Sequence, residues 1–87
     1  MAKYSPPKIL KKWTHDIPGS ELYELFVQDD RTVWSAAGRF AHSSVATHCT
    51  WEQFLDGRLD DLAIKTVGPT ALAEAKHIVW ATLASSR

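Results

Sequence analysis

Three side chains able to ligate a metal, or to act as nucleophile and base, crowd into one short stretch: His42, His48 and Cys49. A zinc site needs three or four such groups converging on one point. A cysteine nucleophile needs an oriented base beside it. The spacing works against both. His48 and Cys49 are neighbours in an alternating run, so on a strand they point to opposite faces. The order His-x5-His-Cys fits no zinc-finger pattern. Cys49 is therefore expected as a small buried hydrophobe, with the histidines near the surface, no catalytic residue, no metal and no cofactor.

The carboxylates form no acid–base pair. Asp29-Asp30 reads as a turn, and Asp56, Asp60 and Asp61 line the solvated side of a helical stretch, with Asp56 and Asp60 a like-charge pair one turn apart. There is no phosphate-binding loop, no G-x-G-x-x-G, no H-E-x-x-H and no calcium loop.

The lysines carry the one nucleic-acid reading. Residues 1–12 hold Lys3, Lys8, Lys11 and Lys12 and no acid, with Tyr4 inside the stretch and Trp13 just after it. Lysines interleaved with aromatic rings can follow phosphates and stack on bases. The whole chain has ten basic and ten acidic residues, so beyond this arm six basic face ten acidic groups, a net of −4. An acidic body argues against a phosphate-binding surface spread over the fold. The order of strands followed by a terminal helix also occurs in double-stranded-RNA-binding and integrase-arm modules, a likeness of fold order alone. The entry to the last helix, Pro69-Thr70-Ala71, lacks the lysine cluster those RNA binders place there. A solubilising arm is the simpler reading.

Four tryptophans are more than a small core needs. Trp34 and Trp51 fall on expected core faces. Trp13 and Trp80 are harder to bury, and Phe26 with Val33 forms an apolar pair on the outer side of a predicted hairpin. Phe26, Val33, Trp80 and Trp13 are thus the candidates for a contact surface, where aromatic anchors carry most binding energy.

The elements that must position these residues follow from periodicity. Residues 21–28 and 31–40 are β-prone runs flanking Asp29-Asp30, which reads as a two-residue hairpin turn. That register places Tyr23, Leu25, Val27, Trp34 and Ala36 on the apolar face; a longer loop is the alternative, since Asp tolerates positive φ less well than Asn or Gly. A third strand is expected near 44–49, because an isolated hairpin is marginal in water. Thr50 with Gln53 has the form of a capping box. From there Trp51, Phe54, Leu55, Leu59, Leu62, Ala63, Thr66 and Val67 recur at helical spacing over 51–67. The stripe keeps phase across Gly57, which favours one bent helix over two short ones. Gly68-Pro69 closes it. A last helix spans 70–84, with Leu72, Ala75, Val79 and Leu83 at the centre of its apolar arc and Lys76 and Trp80 at the edge.

With 87 residues, one cysteine and 45% apolar residues, the chain makes one domain with one core. It is expected to be α+β: an antiparallel sheet of about three strands covered on one face by two C-terminal helices, behind a flexible basic arm over 1–12. A lone cysteine and no apolar span of membrane length point to a cytoplasmic, membrane-free protein. The expected function is a small non-enzymatic protein–protein interaction module, as a monomer or a homodimer, of the kind bacterial and phage accessory proteins use. The alternative is an accessory nucleic-acid binder acting through Lys3, Lys8, Lys11 and Lys12.

Overall fold

The computed structural model describes residues 6–38 and 45–85. The fold is α+β: an antiparallel meander of four strands followed by three helices. The strands are β1 (Ile9–Asp16), β2 (Leu22–Gln28), β3 (Thr32–Ala37) and β4 (Val45–Thr50), lying in that order across the sheet. The helices are α1 (Trp51–Leu55), α2 (Asp60–Thr66) and α3 (Pro69–Ser85). They cover one face of the sheet, so the molecule is two layers deep and only 17 Å through its thinnest direction.

β1 stands ahead of the three expected strands. It takes in residues 9–12, which were expected in the arm, so the domain begins earlier than Trp13. Trp13 pairs with Leu25 and packs at the rim of the core. The Pro18-Gly19 turn returns the chain to β2, with the Ile17 N–H donating to Glu21 O at 2.9 Å.

The β2–β3 hairpin corrects the predicted register. Val27 pairs with Val33, Phe26 with Trp34 and Leu25 with Ser35. The connection is therefore the three residues Asp29-Asp30-Arg31, not two. Two-residue hairpin turns of type I′ need left-handed backbone at both positions, which two aspartates supply poorly. The longer loop asks it of one residue, and Arg31 takes it with φ 66°. The Asp30 carboxylate locks the turn by accepting from the Thr32 N–H at 3.2 Å and from the Thr32 hydroxyl. A slip of one residue inverts a strand. Val33 and Ser35 consequently face the helices, buried to 0% and 5% exposure, and Trp34 turns to the opposite side. Under the sheet Val33 joins Trp51 and Phe54 in the core.

The helical half follows the expected stripe but breaks at Gly57. Thr50 caps α1 with a full capping box: its hydroxyl accepts from the Gln53 N–H at 3.1 Å, and the Gln53 side chain accepts from the Thr50 N–H at 3.0 Å. Two bonds tie this start to the hairpin: the Trp51 N–H donates to Arg31 O at 2.9 Å, and its indole N–H to Thr32 O at 3.2 Å. Gly57 then adopts φ 102°, outside helical space, which separates α1 from α2 in place of the single bent helix. Trp51, Phe54, Leu59, Ala63 and Thr66 are buried across both pieces, while Leu62 stays exposed. Gly68 (φ 101°) ends α2, its N–H reaching back to Ala63 O at 2.9 Å. α3 buries Ala71, Leu72, Ala75 and Val79, with Ile78 and Leu83 packed beside them. Lys76 of α3 grips both carboxylate oxygens of Asp60 at 2.9 and 3.0 Å, fixing α2 against α3. The His15 ring, Nδ1 2.7 Å from Thr66 O, ties β1 to the end of α2.

The turn geometry predicts the effect of one substitution. Left-handed backbone costs an L-residue roughly 1–2 kcal/mol, and glycine recovers that less its own chain-entropy penalty. Arg31→Gly is expected to stabilise the fold by about 0.5–1 kcal/mol in urea unfolding. Arg31→Val is expected to destabilise it, since a β-branched side chain fits φ 66° worse than arginine does.

Candidate functional site

The corrected register assembles a row of side chains that no single strand announces. Lys12 pairs with Phe26, Phe26 with Trp34, and Trp34 with His48, so four strands each contribute one residue to a line across the face opposite the helices. Phe26 and Trp34 lie parallel, with ring centroids 6.3 Å apart and an interplanar angle of 4°. Trp34 and His48 stack at 4.3 Å and 19°. Cross-strand aromatic pairs of this kind are a main source of sheet stability. The row stands on the surface all the same: Phe26 and Trp34 are half-buried and His48 is exposed.

Local bonds set the indole's direction. Trp34 Nε1 donates to Thr32 Oγ1 at 3.0 Å, and Gln28 Nε2 donates to the same hydroxyl at 3.3 Å. Thr32 is held in turn by Asp30, so the hairpin turn orients the ring two residues on. On the other side of the aromatic row lies a second line, Thr14, Glu24, Ala36 and Ala46, three of whose four members are small. The face therefore has a step: a ridge of Phe26, Trp34 and His48 beside a trough floored by alanines. Lys12 and Glu24 mark the β1–β2 end of the step and form an ion pair at 3.2 Å.

The other expected contact residues do not join this surface. Val33 is corrected outright: it is fully buried beneath the sheet, because the three-residue turn inverts β3. Trp13 lies on the helix side, where its indole N–H donates to Glu74 Oε1 at 2.8 Å. Trp80 is 61% exposed on α3, in the other layer, with His77 as its ring neighbour at 6.4 Å. The lysines are split up. Lys12 is on the ridge, Lys11 pairs with Val27 on the helix side, and the Lys8 backbone N–H is held by the Asp29 carboxylate at 2.9 Å. Lys3 and His42 lie outside the described residues.

His48 and Cys49 point to opposite faces, as their adjacency implies. His48 stacks on Trp34 while Cys49 is buried at 4% exposure. Burial pushes the Cys49 thiol above its ordinary value, with Arg58 pulling weakly the other way. A raised thiol is a poor nucleophile near neutral pH. Among the described residues no three His, Cys, Asp or Glu side chains converge as a metal site, and no helix is long and apolar enough to cross a membrane.

No family model, curated protein or solved structure matches this chain. The site therefore stands on its geometry. Trp34 and His48 were within reach of sequence reasoning through the turn alone: a three-residue loop pairs Trp34 with Phe26 directly.

The thiol gives a testable pH dependence. With its folded value raised, Cys49 ionises first in the unfolded chain. Its contribution to stability is full below the ordinary value of 9.0 and is lost as pH rises beyond it. Between pH 8 and 10 the wild-type protein is expected to lose stability to urea faster than Cys49→Ala. Equal slopes would show that burial leaves the thiol unperturbed. Labelling by an aromatic disulfide reagent should likewise await unfolding.

Proposed function

We propose that this chain is a small non-enzymatic protein-interaction module whose binding surface is the outer face of the sheet. The observation that carries this reading is the Phe26–Trp34–His48 ridge, a row of rings at the surface with the helices all on the other side. Aromatic side chains bring large contact area at low entropy cost and dominate binding energy at protein interfaces. The surface is a step, not a cleft, which suits a macromolecule better than a small substrate.

The same rings could in principle stack on bases, and electrostatics separates the two readings. The outer face carries Lys12 against Glu24 and Asp16, and Lys12 is already paired with Glu24. Among the described residues of this face, one lysine against two carboxylates gives no net gain from counterion release, the term that dominates affinity for polyanions. Placement of Lys11 and Lys12 on opposite sides of β1 weakens the nucleic-acid alternative further. A cytoplasmic setting remains part of the proposal, resting on the single cysteine.

Two measurements test it. Affinity capture from the cells that express the protein is expected to retain partners on the wild-type chain and to lose them with Trp34→Ala. Titration with single-stranded DNA and RNA at low salt is expected to leave tryptophan fluorescence unchanged. Quenching that weakens with salt and disappears in Trp34→Ala would transfer the site to nucleic acid.

A further inference from the structure

The ridge and the trough run side by side across the strands, and that arrangement is self-complementary. Take a two-fold axis lying parallel to the face, perpendicular to the strands and between the two lines. Rotation about it lays a second sheet face to face on the first, with each strand over its own copy. It sets Trp34 over the partner copy's Ala36 and His48 over its Ala46, and by symmetry the reverse, while Phe26 comes over Glu24, whose carboxylate is already paired with Lys12. Large side chains enter the space above small ones, as interdigitating sheet layers require. At the β1–β2 end the rotation brings each Lys12 over Thr14, next to Glu24, of the other copy, so opposite charges alternate where the ridge gives out. The chain's formal net charge of zero leaves no long-range repulsion to overcome.

We infer that the partner of this face is a second copy of the chain, in a two-fold symmetric sandwich with Trp34 and His48 of each ridge seated in the Ala36–Ala46 trough of the other copy. This rests on the reading of the outer face as a protein-binding surface and names its occupant. Size sets the strength. Four strands about 4.8 Å apart and roughly 20 Å long give a face of about 400 Å² in projection. A standard stable interface takes about 800 Å² of accessible surface from each partner, so the dimer belongs at the small, weak end of the range. Association in the micromolar range is expected. β4 offers a different mode: it is an edge strand without charge, and pairing with a second β4 would extend the sheet while leaving the ridge bare.

Sedimentation equilibrium of the full chain from micromolar to millimolar concentration tests the sandwich. The wild type is expected to move from 9.7 kDa to twice that mass. Trp34→Ala removes the ridge, and Ala46→Glu fills the trough at an exposed position where the fold tolerates it. Each is expected to weaken dimerisation at least tenfold with an unchanged far-ultraviolet spectrum. If Trp34→Ala fails to fold, Ala46→Glu alone decides. A wild-type chain that stays monomeric to millimolar concentration overturns the inference, and so does a dimer that both variants preserve, which would place association at the β4 edge. Neither result touches the nucleic-acid titration, where salt-sensitive quenching lost in Trp34→Ala would instead remove the protein-binding reading itself.

Discussion

The β2–β3 turn decides which side of the sheet is protein interior. One left-handed residue, Arg31, makes the connection three residues long, and the odd count inverts β3 relative to a two-residue turn. Val33 and Ser35 go inward, Trp34 outward. Burying Val33 fully is worth about 1.5–3 kcal/mol, and the same choice exposes an indole that is then oriented by Thr32. The turn is held from outside as well. Its Arg31 carbonyl receives the first N–H of α1, and its Asp29 carboxylate receives the Lys8 N–H at the start of β1. Strand pairing, helix start and outer face all depend on that one loop.

The helices satisfy the sheet from one side only. α1 and α2 are too short to hold their place by propensity, since helices below about 12 residues are marginal alone. They are pinned by the capping box at Thr50, by Trp51 against the hairpin and by Lys76 against Asp60. Gly57 lets the chain change direction between them so that Phe54 and Leu59 both reach the core. Among the described residues, the result is a slab with helices on one side and none on the other.

The helical half was legible in the sequence because its signals are local. Thr50 with Gln53, the stripe from Trp51 to Thr66, Gly68-Pro69 and the Leu72–Ala75–Val79 arc all appear where periodicity puts them. The break at Gly57 escaped because the apolar stripe keeps phase across a gap that the backbone does not. β1 was hidden by composition: four lysines and two prolines in the first twelve residues read as a solvated arm, yet an edge strand with one solvated face is a natural home for lysines. Trp34 was misplaced by a single residue of turn length. Alternation alone cannot choose between faces when both carry apolar residues, and Leu22, Phe26, Val33 and Trp34 leave that balance close. The ridge could not be seen without the register, since its members come from three strands.

The placement of charge bears on what the bare face is for. β1, one edge of the sheet, is guarded against pairing with a stray strand: Pro6-Pro7 precede it, lysines line it, and a register shift between Ile9 and Lys11 distorts its ladder. The ridge has no such guard. Its single lysine sits at the end and is already engaged by Glu24, which leaves Phe26 and Trp34 side by side without a charged residue between them. A face that only had to remain in water would gain from a lysine or glutamate at either position, and β-sheet geometry would tolerate it on an exposed surface. Retaining two parallel rings there is the arrangement expected of a surface that spends part of its time covered.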